Sequence, residues 1–218
     1  MGKVTSDITM SLDGFITGPN DDVERPLGDG GERLHEWVYD LASWRELHGL
    51  AGGEKNRDVE VLEESFKNTG AVVMGRRMFN LGEEHWGDDP PFNNPVFVVT
   101  HQAREMLTKE GGTTFTFVTD GIESALQQAK AAAGGKDVSV AGGANIIQQY
   151  LSACLLDEIQ IHLAPILLGG GRKLFDHIGA EQLKLESTRV IESPRVTHLR
   201  FRVGKAINQV KEEKHVKN

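Results

Sequence analysis

The stretch that most restricts the fold is residues 115–156, which changes periodicity repeatedly with almost no chain between the changes. "FTFVT" (115–119) is a short apolar strand pattern. Asp120 and Glu123 follow at capping-box spacing, where each side chain can satisfy a free N–H of a starting helix. Ile122, Ala125, Leu126 and Ala129 then share one helical face, and Gly134–Gly135 supplies a left-handed exit. "DVSVAG" (137–142) returns to strand, and Ile146, Ile147, Tyr150, Leu151 and Cys154 mark a second helix. Strand–helix–strand–helix order with such short connections requires right-handed crossovers and parallel neighbours. "AVVMG" (71–75) and "PVFVVT" (95–100) are apolar throughout, as strands buried on both faces are, and residues 3–12 form a further strand.

After Leu156 the pattern changes. Ile159, Ile161 and Leu163 alternate with Gln160 and His162, and Leu199, Phe201 and Val203 alternate with His198, Arg200 and Arg202. "KLESTRVIE" (184–192) is strand-like, and Ser193–Pro194 makes a turn. Strict alternation predicts strands with one wet face, as antiparallel pairing allows. The fold class is therefore α/β, with a mixed sheet flanked by helices and an antiparallel C-terminal part. A flavodoxin-like sheet, parallel throughout, fits less well. One domain is expected over residues 1–204, with an insertion at 19–58 that carries one short helix (Leu34, Trp37, Val38, Leu41). Val59, Leu62 and Phe66 mark another helix, ending near Asn68–Gly70, and the charged tail 205–218 is expected to be disordered.

Composition narrows the function classes. A net charge of −8 argues against a nucleic-acid binder, which needs a basic face, but leaves room for a small anion held by a few arginines. Cys154 is the only cysteine, so neither an internal disulfide nor a cysteine-rich zinc site can form, and its apolar setting suggests a buried thiol. The N-terminal residues lack a secretory pattern and no window has the apolar length of a membrane span, so a cytoplasmic protein is expected.

Three expected strand ends carry anion-binding chemistry. Gly142 and Gly143 stand between a strand and a helix, where backbone N–H groups and the helix dipole favour phosphate; a ligand-free tight turn is the alternative. Gly75, Arg76 and Arg77 follow "AVVM", and Thr100, His101 and Arg104 follow "PVFVV". Ligands of open α/β sheets bind outside the carboxyl ends of strands, so the coincidence of all three suggests a phosphorylated dinucleotide. No G-x-G-x-x-G or Walker loop is present, so a Rossmann scheme does not apply.

"MSLDGFITG", "AVVMGRRMF", "VFVVTHQAR", "VAGGANIIQQYL" and "LAPILLGGGRKLF", in this order, resemble the dihydrofolate reductase superfamily. The similarity is closest to the reductase domain of the riboflavin-biosynthesis deaminase–reductase and its free-standing relatives, over roughly residues 3–203. The resemblance implies an eight-stranded mixed sheet, NADPH as cofactor and a homodimer. It places Met10 beside the nicotinamide, with Gly75, Arg76 and Arg77 at the pyrophosphate and adenosine side. Thr100 and His101 would take the ribose and its phosphate, and Gly142, Gly143, Ala144, Asn145 and Ile146 the pyrophosphate. Asp13 of "SLDG" would lie at the cofactor–substrate junction as a candidate proton donor, or simply form a turn with Gly14.

The chain departs from that pattern in lacking the deaminase zinc signature and in carrying Ala141 where the riboflavin reductase has a glutamate. Glu60, Glu63 and Glu64 lie on the helix that bears the pterin-binding acid of dihydrofolate reductases, or form its solvated face. Trp44 and Trp86 are candidate walls for a flat substrate, whereas Trp37 on an apolar helix face packs onto the core. The expected function is NADPH-dependent reduction of a small heterocycle, carbonyl or imine, such as 5-amino-6-(5-phosphoribosylamino)uracil. A non-catalytic nucleotide-binding module and dihydrofolate reduction are the alternatives.

Overall fold

The apolar segments between 3 and 204 pair into one twisted sheet in the computed structural model, which describes residues 2–47, 49–179 and 182–204. The long strands are β1 (Val4–Ser11), β3 (Thr69–Gly75), β4 (Pro95–Val99), β6 (Thr114–Val118), β7 (Asp137–Gly142), β8 (Glu158–Ala164), β10 (Leu185–Glu192) and β11 (Thr197–Val203). These are the eight strands expected; a two-residue strand, β5 (Leu107–Thr108), adds a ninth at one edge. The order is β10-β11-β8-β1-β7-β3-β4-β6-β5. From β8 to β6 neighbours run parallel, and β10 and β11 are antiparallel, as the alternation predicted. A separate ribbon joins β2 (Phe15–Thr17) to β9 (Arg172–Lys173).

The crossovers set which helix covers which face. Helix α3 (Arg57–Asn68) leads into β3, and α4 (Arg76–Gly82) joins β3 to β4. Chain progress then reverses: α5 (Ile122–Ala132) returns from β6 to β7, and α6 (Ala144–Ser152) carries the chain to β8 on the far side of β1. Right-handed crossovers in opposite directions must lie on opposite faces. Accordingly Ala125, Leu126 and Ala129 of α5 and Ile146, Ile147, Tyr150 and Leu151 of α6 share a core with Val4, Val138, Val140, Ile159 and Ile161. On the other face Phe79 of α4 packs with Val72, Met74, Val96, Val98 and Phe115. There Trp37, Leu41 and Val196 also close over Val59 and Leu62 of α3.

Several local expectations change. The helix after β6 is capped by Gly121, with φ of 94° and no side-chain bond, because it starts one residue too late for Asp120 to cap it. The helix of the insertion is broken into a 3-10 turn (Gly31–His35) and α1 (Glu36–Tyr39), followed by α2 (Ala42–Leu47), although Leu34, Trp37 and Leu41 are buried as their spacing required. Phe66 is 64% exposed, because α3 turns Asp58 and Val61 inward instead. Cys154 lies beyond the end of α6 and is half-buried. The tail 205–218 falls outside the described residues, among which no helix is long and apolar enough to cross a membrane.

Phe79 is fully buried, with its ring 5.1 Å from Phe115 and 5.0 Å from Phe117. Phe79→Ala should therefore destabilise the fold by about 3–5 kcal/mol, read as a fall in the urea unfolding midpoint.

Candidate functional site

Strands β1 and β7 are neighbours for only a short distance. Their pairing covers Val4↔Val138 and Thr5↔Ser139, and the Ser6 hydroxyl then donates to the Val140 carbonyl at 2.9 Å. Beyond that point β1 stays with β8 as far as Ser11, and β7 stays with β3 as far as Gly142. A seam opens toward the carboxyl ends at the place where strand order reverses, which is where open α/β sheets receive ligands. Gly142 faces this seam: a methyl on it would lie 3.6 Å from Met78 Sδ and 4.0 Å from the Cδ1 atoms of Ile8 and Ile147. Its φ of +126° is one that side chains disfavour. The following peptide to Gly143 is cis. Gly143 caps α6 without a side chain, and a Cβ there would meet nothing within 4 Å, so backbone amides can be approached closely. Ala144 and Ile146 are buried, so their contribution would come from the main chain, whereas Asn145 is exposed and accepts from Gln149 at 2.7 Å. Met10 is half-buried on β1 beside the seam.

Gly75 joins this group, its Cα side lying against Ile146 and the Gly142 carbonyl. Arg76 opens α4 with its guanidinium 5.4 Å from the Phe117 ring and 5.7 Å from that of Phe79, and its Nε and Nη1 are buried without partners. Buried guanidinium donors left unsatisfied are costly, and an oxyanion would satisfy them. Arg77 points elsewhere: its Nε and Nη2 donate to Asp21, which also holds Arg172, so it ties α4 to the insertion. Thr100 is buried and its hydroxyl accepts from the Gln102 amide at 3.1 Å, His101 is exposed, and Arg104 pairs with both Glu83 oxygens.

Asp13 does not suit a proton donor. One oxygen accepts from the Ser11 hydroxyl at 2.6 Å and the Leu168 amide at 3.1 Å, and the other from the Gly169 amide at 2.7 Å. The Ser11 bond, with those from Gly169 and Leu168, outweighs partial desolvation and lowers the carboxyl to about 2. Roughly one molecule in 10⁵ is then protonated at neutral pH. Asp13 is a clamp on the 165–171 loop.

The aromatic wall is also corrected. Trp86 stacks on Phe115 with centroids 6.0 Å apart, edge-on to Phe92, and fills the space above Gly82. Phe115 is at the amino end of β6, so this cluster lies away from the seam. Trp44 is half-buried against Tyr39, 5.0 Å between rings, and packs on the Trp37 cluster of the insertion. Trp37 is the buried one, 5.0 Å from the His162 ring and 5.3 Å from that of His198.

Those histidines belong to a polar chain that sequence reading missed. On the α3 face, His162 Nε2 meets Asp7 Oδ1, His162 Nδ1 lies 2.6 Å from His198 Nδ1, and His198 Nε2 lies 2.9 Å from Asp58 Oδ1. Asp58 also accepts from Ser193 at 2.8 Å, and Asp7 from Ser65 at 2.5 Å and Gln160 at 2.8 Å. Burial pushes the Asp7 carboxyl up, but the His162 charge and these hydrogen bonds outweigh it and hold it below the ordinary value. The inward-facing acid of α3 is thus Asp58: Glu60 and Glu63 are exposed, and Glu64 is held by Arg200 and Arg189. The alternation had marked His162 and His198 as wet, yet each is 2% exposed because α3 and the insertion cover that face.

The sequence model of the RibD C-terminal domain family matches residues 2–199. A curated relative, the uncharacterized protein YyaP of Bacillus subtilis (strain 168), is 22% identical over 202 residues, covering 88% of this chain and 90% of its own. A Shewanella sp. PV-4 protein provisionally assigned to riboflavin biosynthesis has the same fold, with a TM-score of 0.65 at 21% identity, over 93% of this chain and 99% of that one. Acinetobacter baumannii RibD matches at 0.59 and 18% identity, over 94% of this chain and 59% of its own. Dihydrofolate reductase from Enterococcus faecalis, solved with NADP(H), matches at 0.52 and 13% identity, over 94% and 97%. The fold is dihydrofolate reductase-like.

Because the Asp13 pKa is depressed from 3.8 to about 2, the stability its clamp adds is complete above the unfolded value and is lost as pH falls toward the folded one. Asp13→Asn should speed amide exchange at Leu168 and Gly169 by roughly tenfold at neutral pH, measured by NMR, with little change at β-sheet amides.

Proposed function

Since the chain belongs to the RibD C-terminal domain family, we propose that it is an NADPH-dependent reductase of a small heterocyclic, carbonyl or imine substrate. The reaction of 5-amino-6-(5-phosphoribosylamino)uracil is the specific version to assay first. The observations that carry this reading are the pair of unpartnered nitrogens on Arg76, buried just after β3, and the uncapped helix start after β7 with open space over Gly143. The phosphate oxygens of a phosphorylated dinucleotide would satisfy both features.

Within this reading the main chain of Gly142 through Ile146 holds the diphosphate, with Arg76 adding charge, and Thr100 and His101 stand at the adenosine end. Met10 and Ile8 line the seam for the nicotinamide, which supplies a hydride when bound. The chain's own work is to orient an acceptor against that seam and exclude water from it. The α3 side of the seam is the substrate side, because Thr9, His162, His198 and Asp58 there offer buried polar groups to a heterocycle. Ala141 removes the acidic contact of the riboflavin reductase, so recognition of the acceptor must differ in that detail.

NADPH fluorescence should be enhanced on titration with the purified protein. Gly143→Val adds bulk where the fold has space, so it should leave the unfolding midpoint unchanged and weaken NADPH at least tenfold; Arg76→Ala should weaken it roughly 10–100-fold. A parent protein that shows no binding at millimolar NADPH refutes the proposal. Binding without oxidation across a panel of carbonyl, imine and pyrimidine acceptors would identify a nucleotide-binding module instead.

A further inference from the structure

The Asp7–His162–His198–Asp58 chain places three hydrogens in its three contacts, one more than two neutral imidazoles carry. Each Nε2 faces a carboxylate oxygen, so both Nε2 atoms carry hydrogens. The two Nδ1 atoms are 2.6 Å apart, a contact that requires one hydrogen and admits no second. Two Nε2 hydrogens and one shared between the Nδ1 atoms leave the imidazole pair with a single positive charge between two carboxylates. The groups around it do not supply another proton acceptor for the Nδ1 atoms. Trp37 covers both rings, His35 is held neutral with a pKa lowered to about 4 by burial and by the His162 charge, and Arg200 and Glu64 stand behind Gln160.

The chain also spans the sheet face. Asp7 lines a polar cavity of about 50 Å³ with Thr5, Ser65, Asn68, Gln160 and Arg200. Asp58, in the first turn of α3, meets His198, which pairs with His162 near the carboxyl end of β8, so this end of the chain lies toward the carboxyl ends of the strands. Burial and repulsion by His162 lower the proton affinity of His198, partly offset by Asp58.

We propose that the His162–His198 pair is a proton store that supplies, through the Asp58 end, the proton consumed when the acceptor is reduced. This rests on the reductase reading. Reduction of a C=O or C=N bond adds a hydride, whose electron pair forms the new C–H bond and leaves the nicotinamide oxidised. The broken π bond's pair takes a proton at the heteroatom. His198 releases its Nε2 hydrogen to Asp58 and from there to the heteroatom, while the hydrogen shared between the Nδ1 atoms settles on His198. The pair goes from singly charged to neutral, and water restores the proton before the next turnover. The third hydrogen, which two neutral imidazoles would not carry, is the one available for transfer. Asp13, the other acid near the site, is clamped in its ionised form and cannot take this role.

The test is ¹⁵N NMR of the full chain labelled at histidine. At neutral pH the four nitrogens of His162 and His198 should read as three protonated or sharing and one acceptor, with a shared-proton resonance far downfield of ordinary imidazole N–H. As pH rises both rings should lose this single proton in one coupled step. Asp58→Asn keeps the shape and removes the charge, and should move that step down by at least about one pH unit. Two rings that stay neutral between about pH 5 and pH 9 in the folded parent, with no shared proton, overturn the store. So does an unmoved step in Asp58→Asn.

Turnover of 5-amino-6-(5-phosphoribosylamino)uracil with NADPH supplies the second readout. His198→Gln should lower kcat at least tenfold and flatten its pH profile, with NADPH affinity unchanged. An unchanged kcat and profile would overturn the role in reduction. Failure of the parent to bind NADPH removes the reductase reading and the role built on it, while the NMR result still decides whether the pair holds the proton.

Discussion

The reversal of strand order at β7 is the constraint from which the other features follow. Strands β3, β4 and β6 are laid down moving away from β1, and β7 then inserts between β1 and β3. At such a reversal the crossovers on the two sides run over opposite faces, and a crevice is left outside the carboxyl ends of the strands. Strand β7 keeps β3 along its length and leaves β1 after Thr5↔Ser139, while β1 is held along seven residue pairs by β8. The seam is therefore a consequence of topology. Gly142 and Gly143 stand where the parting strand meets its helix, and the positive φ of Gly142 is what lets the main chain turn there without a side chain entering the seam.

The same reversal separates the helices by face, and the two faces differ in character. Residues Val4, Ile8 and Met10 of β1 face α5 and α6 and join an apolar core. Asp7 and Thr9 face α3, as do His162 of β8 and His198 of β11. Apolar burial thus fixes the position of the strands from one side. That leaves the opposite side free to carry polar groups in a set geometry, since their strands are already held.

Much of this was legible because strand and helix periodicities are local. The parallel run, the antiparallel end, the double glycine and the arginine after β3 could each be found in short windows. The polar chain could not. Asp7, Asp58, His162 and His198 are far apart in sequence, and in a strand of alternating pattern a histidine on the polar side reads as solvated. What buries it is the 19–58 insertion, whose Trp37 and Leu41 have ordinary core spacing but no signal of what they cover. The tryptophans show the same limit. Trp86 lies in a Gly- and Pro-rich stretch that reads as a loop, yet its ring is stacked on Phe115 because the turn after α4 folds back on β6. On α3 the solvated face that the sequence allowed is where Glu60 and Glu63 lie, and the inward acid is one it did not mark: Asp58, in the first turn, turned toward His198.

The composition of the buried chain bears on why it persists. Removing ions from water costs several kcal/mol each, and a well-packed apolar replacement for a buried ion pair is often as stable or more so. Two carboxylates and two imidazoles beneath a tryptophan are a poor choice if stability alone is at issue. Their hydrogen bonds are nearly complete, through Ser65, Gln160 and Ser193, so the set is ordered as well as ionisable. Order with retained titration is the combination that an acid–base role requires, since an acid must hold its geometry while its proton moves. The 19–58 insertion then has a physical purpose beyond covering the sheet. By covering His162 and His198 it leaves Asp7 and Asp58 as the groups that their Nε2 atoms face.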